Sequence, residues 1–235
     1  PVYNWTGVYI GGGFGYGLYN ADTTFAGVFD PFTVPLTQTQ GGRGWLGILT
    51  AGADYQFNDK IVAGVFGDYD FASIKGTLPY QTPFETGKMK ETAAWAIGAR
   101  IGWLIDPAVL TYINGGSTQA RFSAVHLAIN NPGSAFFGAA PDTLGAHTYS
   151  GWFLGSGIEA RLDSLGPFAR GWSWRTEYRY ANYRSATLPV VCTDAVICPV
   201  PPIVIPVGTT VANISIRPIV QTVRSELVYK FNWGG

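Results

Sequence analysis

The sequence predicts an all-β fold: an eight-stranded antiparallel up-and-down transmembrane β-barrel, one domain over residues 1–235, with four long extracellular loops and short periplasmic turns. Three observations carry this. Charged residues make up 13% of the chain, about half the usual share of roughly 25%. Aromatics reach 15%. No run of 18 or more apolar residues exists from which a transmembrane helix could be built. Only helices and closed barrels satisfy every backbone polar group in lipid, so a chain this apolar without such a helix reads as a barrel.

The strands follow from period-2 alternation. The first runs from about Thr6 to Tyr19, with Val8, Ile10, Phe14, Tyr16 and Leu18 on one face and mostly glycine on the other. The second, about Gly44 to Phe57, sets Trp45, Leu49, Ala51, Ala53 and Tyr55 against Asp54 and Gln56, and Asn58-Asp59 turns the chain. The third, about Lys60 to Phe71, sets Ile61, Ala63, Val65, Tyr69 and Phe71 against Asp68 and Asp70. The fourth, about Thr92 to Leu104, sets Trp95, Ile97, Ile101 and Trp103 against Arg100 before the Asp106-Pro107 turn. The fifth, about Val109 to Phe122, alternates poorly. The sixth, about Thr148 to Arg161, sets Trp152, Leu154 and Ile158 against Glu159 and Arg161. The seventh, about Gly171 to Tyr180, sets Trp172, Trp174, Tyr178 and Tyr180 against Arg175, Glu177 and Arg179. The eighth, about Ile219 to Trp233, sets Val223, Leu227, Tyr229 and Phe231 against Arg224, Glu226 and Lys230. Long connections at about 20–43, 72–91, 123–147 and 181–218 alternate with short turns, the asymmetry of an outer-membrane barrel. An even strand count puts both termini on the periplasmic side.

Alternation alone does not say which face is outside. The polar phase is too sparsely charged to be a solvent surface, and its glycines suit the crowded interior of a small barrel. Its charges balance: Asp54, Asp68, Asp70, Glu159, Glu177 and Glu226 against Arg100, Arg161, Arg175, Arg179, Arg224 and Lys230. Buried charges must be paired, so these twelve are the expected interior network. The eight tryptophans fall near strand ends: Trp5, Trp103, Trp172, Trp174 and Trp233 on the turn side, Trp45, Trp95 and Trp152 on the loop side. They read as two interfacial girdles. Trp95 and Trp103 stand about 26 Å apart along a strand. With a strand tilt of roughly 40°, that is close to the height of an outer-membrane apolar band.

The opening Tyr3-Asn4-Trp5-Thr6-Gly7-Val8-Tyr9-Ile10-Gly11-Gly12 resembles the start of a family of small alphaproteobacterial outer-membrane barrel proteins. Trp174-Arg175-Thr176-Glu177-Tyr178-Arg179-Tyr180 resembles its seventh strand, and Val223 to Phe231 resembles its end. The resemblance covers both ends and most strands but not the loops. It implies a porin-like barrel of the OmpA/OmpX type with mainly structural roles in the Gram-negative envelope, adhesion or ligand binding being ascribed to some members. The family's terminal Phe would correspond to Phe231, with Asn232 to Gly235 beyond it.

Enzyme chemistry has little purchase here. The two histidines, His126 and His147, lie in the third loop near Ser123 and Asp142, without a recognisable nucleophile motif. Cys192 and Cys198 lack metal-ligand spacing and have no neighbouring His. The Gly11–Gly15 run is no phosphate loop, because no helix follows it. No catalytic residue, metal or cofactor is expected, and with no basic run in the sequence, no nucleic acid. No signal peptide is present and a processed chain could begin at Pro1, so a mature secreted form is expected. The fourth loop is proline-rich and apolar. Cys192 and Cys198 enclose five residues there, and a surface location permits a disulfide between them. Val190, Val191, Val196, Ile197, Ile203 and Ile205 either pack over the barrel mouth, against Phe136 and Phe137, or contact a neighbouring barrel or envelope protein. Outer-membrane lipid and lipopolysaccharide are the other expected partners. The leading functional expectation is an outer-membrane structural and interaction protein that anchors surface loops and contributes envelope integrity. A narrow channel for small solutes is the alternative, and a lipid-modifying enzyme a distant third. The interior charges read either as a plug of salt bridges or as a polar pathway.

Overall fold

The computed structural model describes residues 4–27, 36–80, 85–129, 138–193, 199–200, 203–204 and 206–231. The strands are β1 (Gly7–Gly27), β2 (Leu36–Gln56), β3 (Ile61–Tyr80), β4 (Glu85–Asp106), β5 (Val109–Phe122), β6 (Val125–Ile129), β7 (Asp142–Leu144), β8 (His147–Arg161), β9 (Trp172–Tyr183), β10 (Ala186–Cys192), the short hairpin β11 (Pro199–Val200) and β12 (Ile203–Val204), and β13 (Thr210–Phe231). Eight of them, in the order β1-β2-β3-β4-β5-β8-β9-β13, form an antiparallel ring that closes where β13 pairs with β1. No helix among the described residues is long and apolar enough to cross a membrane.

The expected faces are the observed ones across the middle of the ring. Ile10, Phe14, Leu49, Val65, Ile97, Ile113, Leu154 and Val223 are exposed on the outside, while Asp68, Arg100, Glu159, Arg175 and Arg224 are buried inside. Some interior glycines are dictated by close approach. A Cβ on Gly52 would meet the Tyr9 hydroxyl at 2.5 Å, and one on Gly157 the Tyr112 hydroxyl at 2.5 Å. Both tyrosines can therefore lie flat across the lumen. The poorly alternating β5 is a full member of the wall. Of its outward positions only Ile113 is large and apolar; Thr111, Gly115, Ser117, Gln119 and Arg121 are small or polar, while Leu110, Tyr112, Ala120 and Phe122 point inward, so no apolar stripe marks it in the sequence.

The strands are much longer than the alternation suggests, and three of the four expected long loops shrink accordingly. β1 and β2 are 21 residues each and β13 is 22. At about 3.3 Å per residue and a tilt near 40°, such strands rise about 50 Å, roughly twice the apolar band. Beyond Trp45 and Trp95 the phase inverts. Outward positions become Ser73, Lys75 and Thr77, and inward ones Ile74 and Leu78. A bulge between Phe71 and Ile74, answered between Glu91 and Ala93, carries β3 and β4 through the change. Polar outside and apolar inside is the pattern of a barrel in water. β6, β7 and β10 take over there from β5, β8 and β9: β6 pairs with β4, β7 with β6 and β10, and β10 with β13. The chain thus stacks a second eight-stranded ring on the first.

Leu154 is exposed near mid-strand on the lipid-facing side. Leu154→Arg should cost about 2–4 kcal/mol in urea unfolding from lipid vesicles. Wild-type stability of that variant would show that the outer face does not meet lipid.

Candidate functional site: the sealed lumen

Four layers fill the barrel from the turn end to the loop end. The first is a tryptophan plug. Trp5 is fully buried among Val62, Leu104 and Leu110. Its Nε1 donates to the Pro107 carbonyl at 3.0 Å, and its backbone N–H donates to Gln56 Oε1 at 3.0 Å. Lys230 Nζ donates to the Trp5 carbonyl at 3.1 Å. Trp5 is therefore not a girdle residue, as its place near a strand end suggested. It precedes β1, and the chain folds it beneath the lumen. Trp45, Trp95, Trp103, Trp152 and Trp174 are exposed on the outer wall, Trp172 is half-buried against Tyr229, and Trp233 lies outside the described residues.

The second layer centres on Asp54 and Glu159. Lys230 Nζ reaches Asp54 Oδ2 at 2.6 Å, and Arg100 forks both Asp54 oxygens while its Nη1 donates to Glu159 Oε2 at 2.9 Å. Arg175 donates twice to the same Glu159 oxygen, at 3.0 and 2.9 Å, and Ser173 Oγ donates to the other at 2.7 Å. The Tyr9 ring lies between the guanidiniums, 5.0 Å from that of Arg100 and 4.8 Å from that of Arg175. An aromatic face stabilises both cations where water is excluded.

The third layer joins opposite walls. Arg179 forks Asp68 at 3.0 and 2.8 Å, and its Nε donates to Glu177 Oε1 at 2.9 Å. Arg224 forks Asp70 at 2.7 and 2.9 Å. Glu177 also accepts from Tyr112 OH at 2.9 Å and Asn114 Nδ2 at 2.7 Å. Glu226 lies 4.0 Å from Arg175 and 3.8 Å from Arg224. Eleven of the twelve sequence-expected charges thus meet in the lumen. Arg161 does not. It sits at the end of β8, bonds Asp163 in the following turn at 2.7 Å and reaches the Asn4 carbonyl at 3.4 Å. Burial disfavours ionised Asp163, but the hydrogen bond and charge of Arg161 and the Gly171 N–H outweigh it and hold its carboxyl below the usual range.

Sequence reasoning missed Glu91. It is buried on the inner face of β4, one level above the network, and its Oε2 has no hydrogen-bond partner. With Asp68, Asp70, Arg179 and Arg224 it lines a cavity whose room for water amounts to about 20 Å³, enough for about one molecule. Alternation placed residue 91 in a loop; the bulge turns it inward. The lumen therefore holds five bases, Arg100, Arg175, Arg179, Arg224 and Lys230, against Glu91 and the six expected acids, not six against six.

The fourth layer is an apolar core inside the upper ring, built by Tyr19, Ile74, Met89, Phe122, Leu127, Tyr149, Ile214 and Ile216 among others. Phe122 meets Tyr19 and Tyr149 edge-to-face at 5.8 and 5.5 Å. Val190 belongs to this core. It is fully buried, paired through β10 with β13 and β7, and is therefore not a partner contact. Val191 is half-buried beside it, and Ile203 enters β12. Val196, Ile197, Cys198, Ile205, Phe136 and Phe137 lie outside the described residues. His126 is exposed and bonds Thr143 at 3.1 Å, whereas Asp142, opposite Leu127, is buried on the other face of the same sheet, so these two do not converge.

No family model matches the chain. Over 194 residues it is 26% identical to the 31 kDa outer-membrane immunogenic protein of Brucella melitensis, covering 77% of this chain and 72% of the relative. The protein of the same description from Brucella suis matches to the same extent. Among solved structures, the outer-membrane protein OprG of Pseudomonas aeruginosa superposes with a TM-score of 0.51 and 11% identity over 97% of this chain and 98% of that one. The chain is an eight-stranded β-barrel of the Gram-negative outer membrane, similar in sequence to these Brucella proteins and in fold to OprG.

Two consequences are measurable. Glu159→Ala removes the acceptor shared by Arg100 and Arg175 and should cost about 3–5 kcal/mol. Glu91→Gln removes a buried carboxylate without a charged partner and should leave stability unchanged or raise it. Equal destabilisation by both in urea titrations would contradict the paired network. Separately, burial pushes the Asp142 carboxyl up to about 6, against about 3.9 in an unfolded chain. Between those values the folded state holds a proton that the unfolded one has released, so the stability of β7 should fall as pH rises from about 4 to 6. Amide protection at Leu144 should be higher at pH 5 than at pH 7, and Asp142→Asn should flatten the difference. A pH difference that survives the substitution would exclude Asp142 as its origin.

Proposed function

We propose that this protein is a non-conducting structural anchor of the outer membrane. Its lower ring is held in lipid, its upper ring projects a rigid platform from the cell surface, and its hairpin tips are offered to partners. The observation that carries the reading is the filling of the lumen. A tryptophan plug, two layers of paired charge and an apolar core succeed one another along the axis, and the cavity at the network holds room for only about 20 Å³ of water. A solute pathway would need a continuous polar channel, and Phe122, Tyr149 and Ile216 interrupt it. Orientation follows from the asymmetry of the ends. Turns such as Asn58–Asp59, where Asn58 Oδ1 accepts from the Lys60 and Ile61 amides, are short, as periplasmic turns are. The upper ring then faces outward, and the start of β1 and the end of β13 face the periplasm. The Brucella relatives are described as immunogenic, which fits an exposed upper ring. A disulfide between Cys192 and Cys198 would staple the fourth tip, and a free-thiol count of zero in the denatured, unreduced protein is its expected signature.

In planar bilayers the protein should give no stepwise current above the membrane baseline. Reproducible single-channel openings of the wild-type protein would overturn the anchor reading in favour of a channel.

A further inference from the structure

Five of the fifteen basic residues of the chain lie in the lumen, and Lys60, Arg161 and Arg170 lie at the turn end. The other seven, Arg43, Lys75, Lys88, Lys90, Arg121, Arg184 and Arg217, all stand above the loop-side tryptophans. Three of them form a row. Arg43 on β2 is directly opposite Lys75 on β3, and Lys75 is directly opposite Lys90 on β4. Neighbouring strands lie about 4.8 Å apart, so the row sets three cations across about 10 Å. Lys88 stands one outward position higher on β4. Arg43, Lys75 and Lys88 are exposed, and Lys90 is half-exposed. Like charges directly opposite one another destabilise a sheet. Among the described side chains the exposed acid at this level is Asp22 on β1, which accepts from Thr39 at 2.7 Å. The acid next to the row, Glu91, points into the lumen. Immediately below the row the same strands present Trp45, Leu49, Tyr69, Phe71, Trp95 and Ile97 outward.

We propose that the Arg43–Lys75–Lys90 row is a binding site for the phosphates of an outer-leaflet glycolipid, the phosphorylated end of lipopolysaccharide, with its acyl chains lying along the aromatic wall below. The ligand chemistry follows from the two halves of the surface. Clustered cations with no exposed acid on β2, β3 or β4 at this level among the described side chains call for a closely spaced polyanion, and guanidinium and ammonium groups both bind phosphate. The apolar wall directly beneath calls for acyl chains on the same molecule. The site rests on the proposed orientation, since only an outward upper ring puts the row at the outer leaflet.

The test titrates purified protein in detergent with lipopolysaccharide and with the same lipid after enzymatic removal of its phosphates. The wild-type protein should bind the phosphorylated lipid at least tenfold more tightly than the dephosphorylated one. The variant Arg43→Gln/Lys75→Gln/Lys90→Gln should lose that preference, whereas Lys60→Gln/Arg170→Gln, with two cations removed from the turn end, should keep it. Heat-dependent gel mobility reports that each variant is folded. If the triple variant does not fold, the single Lys75→Glu, an acid placed between two cations, should also weaken binding severalfold. Equal affinity for the two lipids, or a folded charge variant of the row that binds like wild type, would overturn the proposal. Orientation is read independently by labelling intact cells with an impermeant maleimide. Thr187→Cys on β10 should react, and Asp59→Cys in the first short turn should not. Reaction at Asp59→Cys alone would overturn the orientation, and with it the outer-leaflet source, whatever the titration shows.

Discussion

The pairing of charge inside a ring that excludes water is the interaction on which the rest of this structure depends. Five cations enter a lumen too narrow to hydrate them, and an unpaired ion in such a place costs several kcal/mol. Four of them are bonded to strands that are not their neighbours, while Arg175 bonds Glu159 directly opposite on the adjacent β8. Arg100 on β4 ties β2 to β8, Arg179 on β9 reaches β3, and Arg224 on β13 reaches β3 as well. Bonds of that kind fix the relative heights of strands far apart in sequence. They specify register as much as they stabilise it, and the network works as a set of spokes.

The spokes also explain why the two rings differ. In lipid the outer face must be apolar, so the polar side chains of the chain are forced inward and have to pair. Above the bilayer the outer face meets water, polar residues can return to it, and the interior reverts to Ile74, Met89, Phe122 and Ile216. The same backbone ring is thus filled with ions where its outside is greasy and with grease where its outside is wet. Glu91 sits at the change of phase, which accounts for a carboxylate facing inward beside an apolar core without a cation of its own.

How much of this the sequence makes legible depends on whether the signal is local. The membrane-facing stripes of β1, β4 and β9 are local and period-2, and they are readable. So is the membership of the ion network, because a charge opposite a stripe of Ile and Trp has nowhere else to go. Trp5 is misread because proximity to a strand end is shared by a girdle residue and a plug, and only its contacts with Val62, Leu104 and Leu110 separate them. Arg161 is misread because alternation continues one residue past the point where Asp163 claims it. The upper ring is hidden by the phase inversion: apolar residues still alternate from Ile74 to Leu78, but a reader who holds the first phase sees the pattern dissolve into loop. The cationic row is invisible for another reason. Arg43, Lys75 and Lys90 are 32 and 15 residues apart along the chain, and only strand register makes them neighbours.

The claim that ion pairs between non-neighbouring strands hold the register is tested most directly by a double-mutant cycle on Arg100 of β4 and Asp54 of β2, whose facing atoms are both buried. Arg100→Met, Asp54→Leu and the pair together would each be unfolded by urea from lipid vesicles under the same conditions. The account predicts that the double variant is more stable than the sum of the single losses implies, by more than about 1.5 kcal/mol, the coupling of a close buried charge pair. Additive losses, with coupling near zero, would mean that the lumen tolerates each charge alone and that the barrel is held by its backbone ladder instead.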